Sequence, residues 1–410
     1  MPREIPDLPK GWKPPQPDAG LSYEIELITP MVGGGATAGK VDLDFPIRPT
    51  AIRGHLRHWW RLVRGHSLGE GMWRREEEIF GSTEFPSPVT VVVKRGLKEP
   101  KLYPIERISS TSTHGYVLFP SIDKQQDLLT EGYQFQLGIS VIAAGDLQRR
   151  RAAQNRNRKP TEQLPSTIEP IDGDIDAALK SWVIFGGIGA RTRRGCGSLR
   201  VFKESKLMFL SASPNDLLKQ VLREMPKDFR VYQANQRLPH LLAWERCIEL
   251  LKNFRQPGRS VPRRKFPEAE TLRRISGRQG LRNRVVPESE LPNGFPRAEL
   301  GLPIVFQFKD GSGPDGMTAL PHGLDSERKQ LQRMASPIIL KPVPVSATES
   351  IQTLIVLRRP KGLLVDVTGA SNQPVTGPQF ASYPSSPLAS TSGSAIEAFI
   401  NFSRFTEVTR

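Results

Sequence analysis

Residues 21–65 read LSYEIELITPMVGGGATAGKVDLDFPIRPTAIRGHLRHWWRLVRG, and three local patterns follow one another along them. Leu21, Tyr23, Ile25 and Leu27 alternate with Ser22, Glu24 and Glu26, the period-2 signature of a strand with one buried face. A glycine loop follows, from Gly33-Gly34-Gly35 to Gly39. From Thr50 to Gly65 the apolar residues recur at helical spacing, so a helix is expected with Thr50 as its N-cap.

That helix carries two stripes. Ile52, Leu56, Trp59, Trp60 and Val63 form an apolar one, and Arg53, Arg57, Arg61 and Arg64 form a basic one beside it. At about 100° per residue, Trp60 falls on the border between the stripes and Trp59 on the far side of the apolar one. This predicts that Trp59 is core, while Trp60 stacks on a base and the arginines hold phosphates.

Further elements extend the pattern. Val89, Val91 and Val93 alternate, and residues 133–143 alternate over a longer run from Tyr133 through Phe135, Leu137, Ile139 and Val141. Ile175, Ala178, Leu179, Trp182 and Phe185 make a helical stripe over 172–185. A second glycine-rich loop, Gly186 to Gly197, leads to a strand at 198–202. The order strand, helix, strand, strand, helix, strand is that of a ferredoxin-like unit over 21–205. In 206–410 a helix is expected around Leu241, Trp244, Ile248 and Leu251. Strands are expected at 302–308, 336–341, 351–358 and 363–367, and a helix at 394–405. These predict an α+β protein of two tandem ferredoxin-like (RRM-like, βαββαβ) domains with glycine-rich loops. Residues 1–20, rich in proline, read as a flexible lead-in. Residues 255–297 read as a basic, proline-containing insertion of loops in the second domain, and 368–393 as a long loop.

The charge points to a polyanion. Lys and Arg number 58 against 42 Asp and Glu, a net charge of +16, and residues 255–284 alone carry half of that excess. No run of about 18 apolar residues exists, which excludes a transmembrane helix. No apolar signal segment opens the chain. Cys196 and Cys247 cannot form a cysteine-based zinc site and suit a reducing cytoplasm.

Three motifs carry weight unequally. Gly34 to Lys40 fits G-x-x-x-x-G-K, but Val41 replaces the magnesium-binding hydroxyl and Pro46 and Pro49 oppose an immediate helix. Lys40 is better read as a contact to an RNA phosphate. His55 and His58, with His66 nearby, could act as acid and base but lack a neighbouring carboxylate. In the second loop, Arg191, Arg193 and Arg194 stand among five glycines, which free the backbone to approach a ligand. The two glycine loops are expected to meet on one side of the sheet.

The run from Ile28 to Gly65 resembles the start of the RAMP proteins of type III CRISPR effector complexes. FGG-I-G-ARTRRGCGSL, starting at Phe185, is similar to their glycine-rich loop, and EEEIFGS, residues 76–82, to their insertion after the first helix. Together these motifs most resemble the first RAMP subunits of type III-B (Cmr) complexes. The resemblance implies two ferredoxin-like units and a non-catalytic RNA-binding subunit in contact with the 3′ region of the CRISPR RNA. Its partners would be CRISPR RNA, target RNA and other RAMP subunits, with no membrane and no cofactor. It implies RNA contacts by Lys40, Arg53, Arg57, Trp59, Trp60, Arg191, Arg193 and Arg194, to which the basic stripe adds Arg61 and Arg64. Asp42 and Asp44 are candidates for a target-cleaving acid only by their proximity to the first loop. Two rivals remain at this stage: a metal-independent endoribonuclease using His55 or His58, and a scaffold whose arginines meet protein acids.

Overall fold

A computed structural model describes residues 20–410 apart from 84–85, 97, 105–107, 109–111, 124–125, 143, 157–158, 160–169, 205–212, 256–265, 278–292, 307–315, 326, 359–360, 381–386 and 390. The proline-rich lead-in and the expected domain boundary therefore lie outside the described residues.

The first half runs β1 (Leu21–Leu27), β2 (Met31–Val32), α1 (Pro49–Val63), α2 (Met72–Phe80), β3 (Val89–Arg95), α3 (Thr113–Asp123) and β4 (Leu128–Leu129). It continues through β5 (Gln134–Val141), α4 (Ala144–Asn155), α5 (Asp172–Phe185) and β6 (Leu199–Glu204). The alternation in β1 is realised: Tyr23, Ile25 and Leu27 are buried, and the residues between them are half-buried. Antiparallel pairing sets Ile25 opposite Phe135 on one side and Val201 on the other. The sheet order is β3-β5-β1-β6, with β2 and β4 paired separately. The helix starts at Pro49, and Arg48, not Thr50, is its N-cap, without a side-chain cap bond. Proline's fixed φ suits that first position.

The second half runs α6 (Pro214–Glu224), β7 (Arg230–Pro239), α7 (His240–Arg255), α8 (Glu268–Ile275), β8 (Ile304–Val305), β9 (Thr318–Pro321) and β10 (Ile338–Pro344). It ends with β11 (Glu349–Val356), β12 (Leu364–Val367), β13 (Ala370–Pro374), α9 (Ala395–Ser403) and β14 (Thr406–Glu407). Its main sheet has the order β10-β11-β7-β14, and a further sheet has the order β13-β12-β9-β8. In each main sheet the strand that opens the unit lies between its third and fourth strands, with the second outside the third. The protein is thus a mixed α+β fold of several antiparallel sheets.

Two expectations are corrected here. The stretch 255–297 contains α8, whose Thr271, Leu272 and Arg273 are buried, because Leu272 packs with Phe295 and Val365 in a core of its own. The stretch 368–393 is not all loop, since β13 pairs antiparallel with β12. The largest core joins the two main sheets. Trp59, Trp182 and Phe185 of the first half cluster with Leu218 and Val221 of α6 and with Val231, Ile339 and Ile355 of the second sheet. Phe185 and Phe229 meet at 5.2 Å across this junction.

Candidate nucleic-acid interface

The second glycine loop packs on residues 29–32, which lead into the first. Ala190 N–H donates to Val32 O at 2.9 Å, and Gly197 N–H donates to Pro30 O at 2.9 Å. The Thr29 hydroxyl donates to Gly195 O at 2.7 Å. Closeness of this kind needs glycine at 189, where φ is +81° and a Cβ would stand 2.6 Å from Met31 Cγ.

The first loop does not cradle a phosphate in the P-loop manner. Gly35 N–H is spent on Lys40 O at 2.7 Å and Lys40 N–H on Thr37 O at 3.1 Å, and no helix begins between Gly33 and Arg48. Lys40 is half-exposed and pairs with Asp127 at 3.3 Å. Asp42 Oδ1 accepts from the N–H groups of Asp44 and Phe45, both at 3.0 Å. This turn leaves Phe45 70% exposed. Arg48 donates to Gly35 O at 2.8 Å. Neither Phe45 nor Arg48 stood out in the sequence. The signal was the Asp-x-Asp turn before Pro46, which points the intervening residues outward.

Helix α1 departs from expectation. Trp60 is fully buried, donates to Asp174 Oδ1 at 2.6 Å and meets Phe80 edge-on. Trp59 is buried against Phe185. Neither ring is open to a base, so the stacking role expected for Trp60, and for both by resemblance, is corrected. The cause is α2, which covers the side of α1 that a wheel drawn for an isolated helix leaves open. The basic stripe is also committed. Arg53 donates to Phe80 O. Arg57 and Arg61 both bind Glu76, which is buried. Arg64 pairs with Glu224 at 3.0 Å. Burial alone would raise the Glu76 carboxyl, but the two guanidiniums outweigh it and hold it below the usual range. The EEEIFGS segment thus supplies the counter-charge to the stripe.

His55 stacks on Trp182, and burial, with a contribution from His58, lowers its pKa to about 4. His58 is lowered by burial and by the charges of Arg193 and Arg61, which draws α1 and the second loop into one electrostatic neighbourhood.

In the second loop two arginines donate to carbonyls. Arg191, at φ +61°, donates to Val117 O at 3.0 Å, and Arg193 donates to Ser336 O at 2.6 Å. The indole of Trp244 donates to Arg194 O at 2.9 Å. The Arg194 Nη1 is shut off from solvent, with no hydrogen-bond partner among the described residues. Burial, then the charge of Arg255 and of the two neighbouring arginines, lowers the Arg194 pKa to about 10. Lys341, fully buried on β10, donates to Ile184 O and Gly186 O where α5 gives way to this loop. Burial pushes its pKa down to about 7. Among the described residues, no three His, Cys, Asp or Glu side chains are grouped to hold a metal ion. Both thiols are buried and pushed up to about 12. No helix among the described residues is long and apolar enough to cross a membrane.

Comparison with known proteins bears on the same segment. Residues 24–200 match the model of the RAMP superfamily. The chain is 28% identical over 190 residues to the CRISPR system Cmr subunit Cmr1-2 of Pyrococcus furiosus, a match covering 44% of this chain and 93% of that protein. It is similar to the crystal structure of apo Cmr1 from Pyrococcus furiosus, with 15% identity, a TM-score of 0.48, and coverage of 83% of this chain and 88% of that one. A chain in the cryo-EM structure of the type III-B Cmr-beta bound to cognate target RNA is similar at 13% identity and a TM-score of 0.44, covering 87% of this chain and 96% of that one.

Proposed function

We propose, from the match of residues 24–200 to the RAMP superfamily model, that this chain is the Cmr1-like RNA-binding subunit of a type III-B CRISPR effector complex. In this reading it is non-catalytic, contacts the 3′ region of the CRISPR RNA and helps capture target RNA. Its two main sheets, with corresponding strand orders, are tandem ferredoxin-like units, the first over 21–205 and the second over 206–410. It works in the cytoplasm beside other RAMP subunits.

The observation that carries the RNA-binding role is the Arg193 guanidinium. It is half-buried and is held by Ser336 O through Nη1, in a loop that also carries Arg191 and Arg194. A carbonyl orients this cation without neutralising it, and a backbone phosphate oxygen meets its remaining donors and its charge. Lys40, Arg48 and the exposed ring of Phe45 extend the grip onto the first loop. In guide-based recognition the protein holds backbone while base pairing reads sequence.

The non-catalytic reading is supported by His55, which at a pKa of about 4 is a poor base at neutral pH, and by Asp42, whose Oδ1 is spent on its own turn. The test is a titration with end-labelled single-stranded RNA in EDTA, run on native and denaturing gels. A salt-sensitive shift with intact RNA is expected. Shortened RNA, abolished by changing His55 or His58, would replace this reading with the ribonuclease.

A further inference from the structure

Of the tryptophans among the described residues, Trp59, Trp60, Trp182 and Trp244 are buried, whereas Trp73 on α2 is 62% exposed. The Arg61 guanidinium lies over its ring at 5.1 Å. Leu68, in the turn leading into α2, is exposed too. The charges around this ring cancel. Arg57 and Arg61 share Glu76, Arg64 pairs with Glu224, Arg74 and Arg75 with Glu78, and Arg75 with Asp174. Glu70 and Glu77 add two further carboxylates to the same segment.

We infer that the α1–α2 face centred on Trp73 is a protein-docking surface, which inserts this indole into an apolar cavity on a neighbouring subunit. This rests on the reading of the chain as one subunit of a larger complex. A polyanion gains little here, because each phosphate would have to displace a carboxylate already bound to its arginine. A neutral protein surface loses nothing to those ion pairs. Trp and Arg are also the residues that dominate the centres of protein interfaces. Arg61, fixed by Glu76 below and stacked on the ring above, limits the freedom Trp73 has left to lose on binding.

The test compares the full-length chain and Trp73→Ala in two assays. One is co-assembly with the other subunits of its own complex on CRISPR RNA. The other is binding of the isolated chain to single-stranded RNA. Trp73 is solvent-facing, so the variant should melt with the wild type. Assembly should weaken about 30-fold, with RNA affinity unchanged. Assembly at wild-type strength would overturn the inference, and so would lost RNA affinity with assembly intact, which would make the face an RNA platform. A wild-type chain that neither assembles nor binds RNA would overturn the proposed function, and this inference with it.

Discussion

Most arginines of α1 and those of the second glycine loop look alike in sequence but meet different partners. Arg57 and Arg61 share Glu76 and Arg64 pairs with Glu224, so two carboxylates offset most of the charge of these three, while Arg53 donates to the Phe80 carbonyl. Arg193 donates to the carbonyl of Ser336, which fixes the side chain yet leaves the positive charge in place. A carbonyl orients a guanidinium; a carboxylate orients and neutralises it. Counting basic residues therefore overstates one region and understates the other. In the proposed reading the first region meets protein and the second phosphate.

The largest effect that bears on this contrast concerns Trp60. Trp60→Ala should cost about 3–5 kcal/mol of stability in denaturant unfolding, because the ring is fully buried and donates to Asp174. RNA affinity of the folded fraction should not change. Lost affinity at unchanged stability would return α1 to the RNA interface.

Lys341 anchors the start of the second loop, and its contribution depends on pH. Unfolded, it keeps its proton up to about 10.5; folded, it releases it at about 7. The native state then holds fewer protons within that window, so stability rises with pH across it, by at most about 1.4 kcal/mol per unit. The burial cost is fully present below about 7. Lys341→Met should flatten this rise relative to wild type in unfolding series from pH 7 to 10. An unchanged slope would show that the ammonium is not buried as described.

A smaller effect would convert one region toward the other. Glu76→Gln removes the carboxylate that Arg57 and Arg61 share. Single-stranded RNA should then bind with a steeper salt dependence, by about 0.7 in log K per log salt for one phosphate gained. No change would mean that these arginines were already in contact with the strand, or out of its reach.

Much of the architecture was legible before the coordinates. Alternation marked β1, β3 and β5, and the stripe Ile175 to Phe185 marked α5. Strand β7 was missed because only Val231 and Tyr232 are buried in RVYQANQRLP, and its polar residues break the alternation. The burial of Trp60 was not legible because the helix that covers it follows in sequence and packs back. Nor was the commitment of Arg57 and Arg61, whose partner Glu76 lies on that same helix. The carbonyls that hold Arg191 and Arg193 come from distant segments with no local pattern. Residue type located the candidate site; only tertiary partners decided which of its charges remain available.

The most direct test sets one arginine from each region against the other. Arg193→Gln and Arg64→Gln each remove a single half-exposed or exposed guanidinium, and binding of single-stranded RNA is followed across salt. Arg193→Gln should weaken binding and lower the salt slope by about 0.7, with Arg193→Lys restoring the slope, while Arg64→Gln leaves both unchanged. A loss with Arg64→Gln and none with Arg193→Gln would contradict the account.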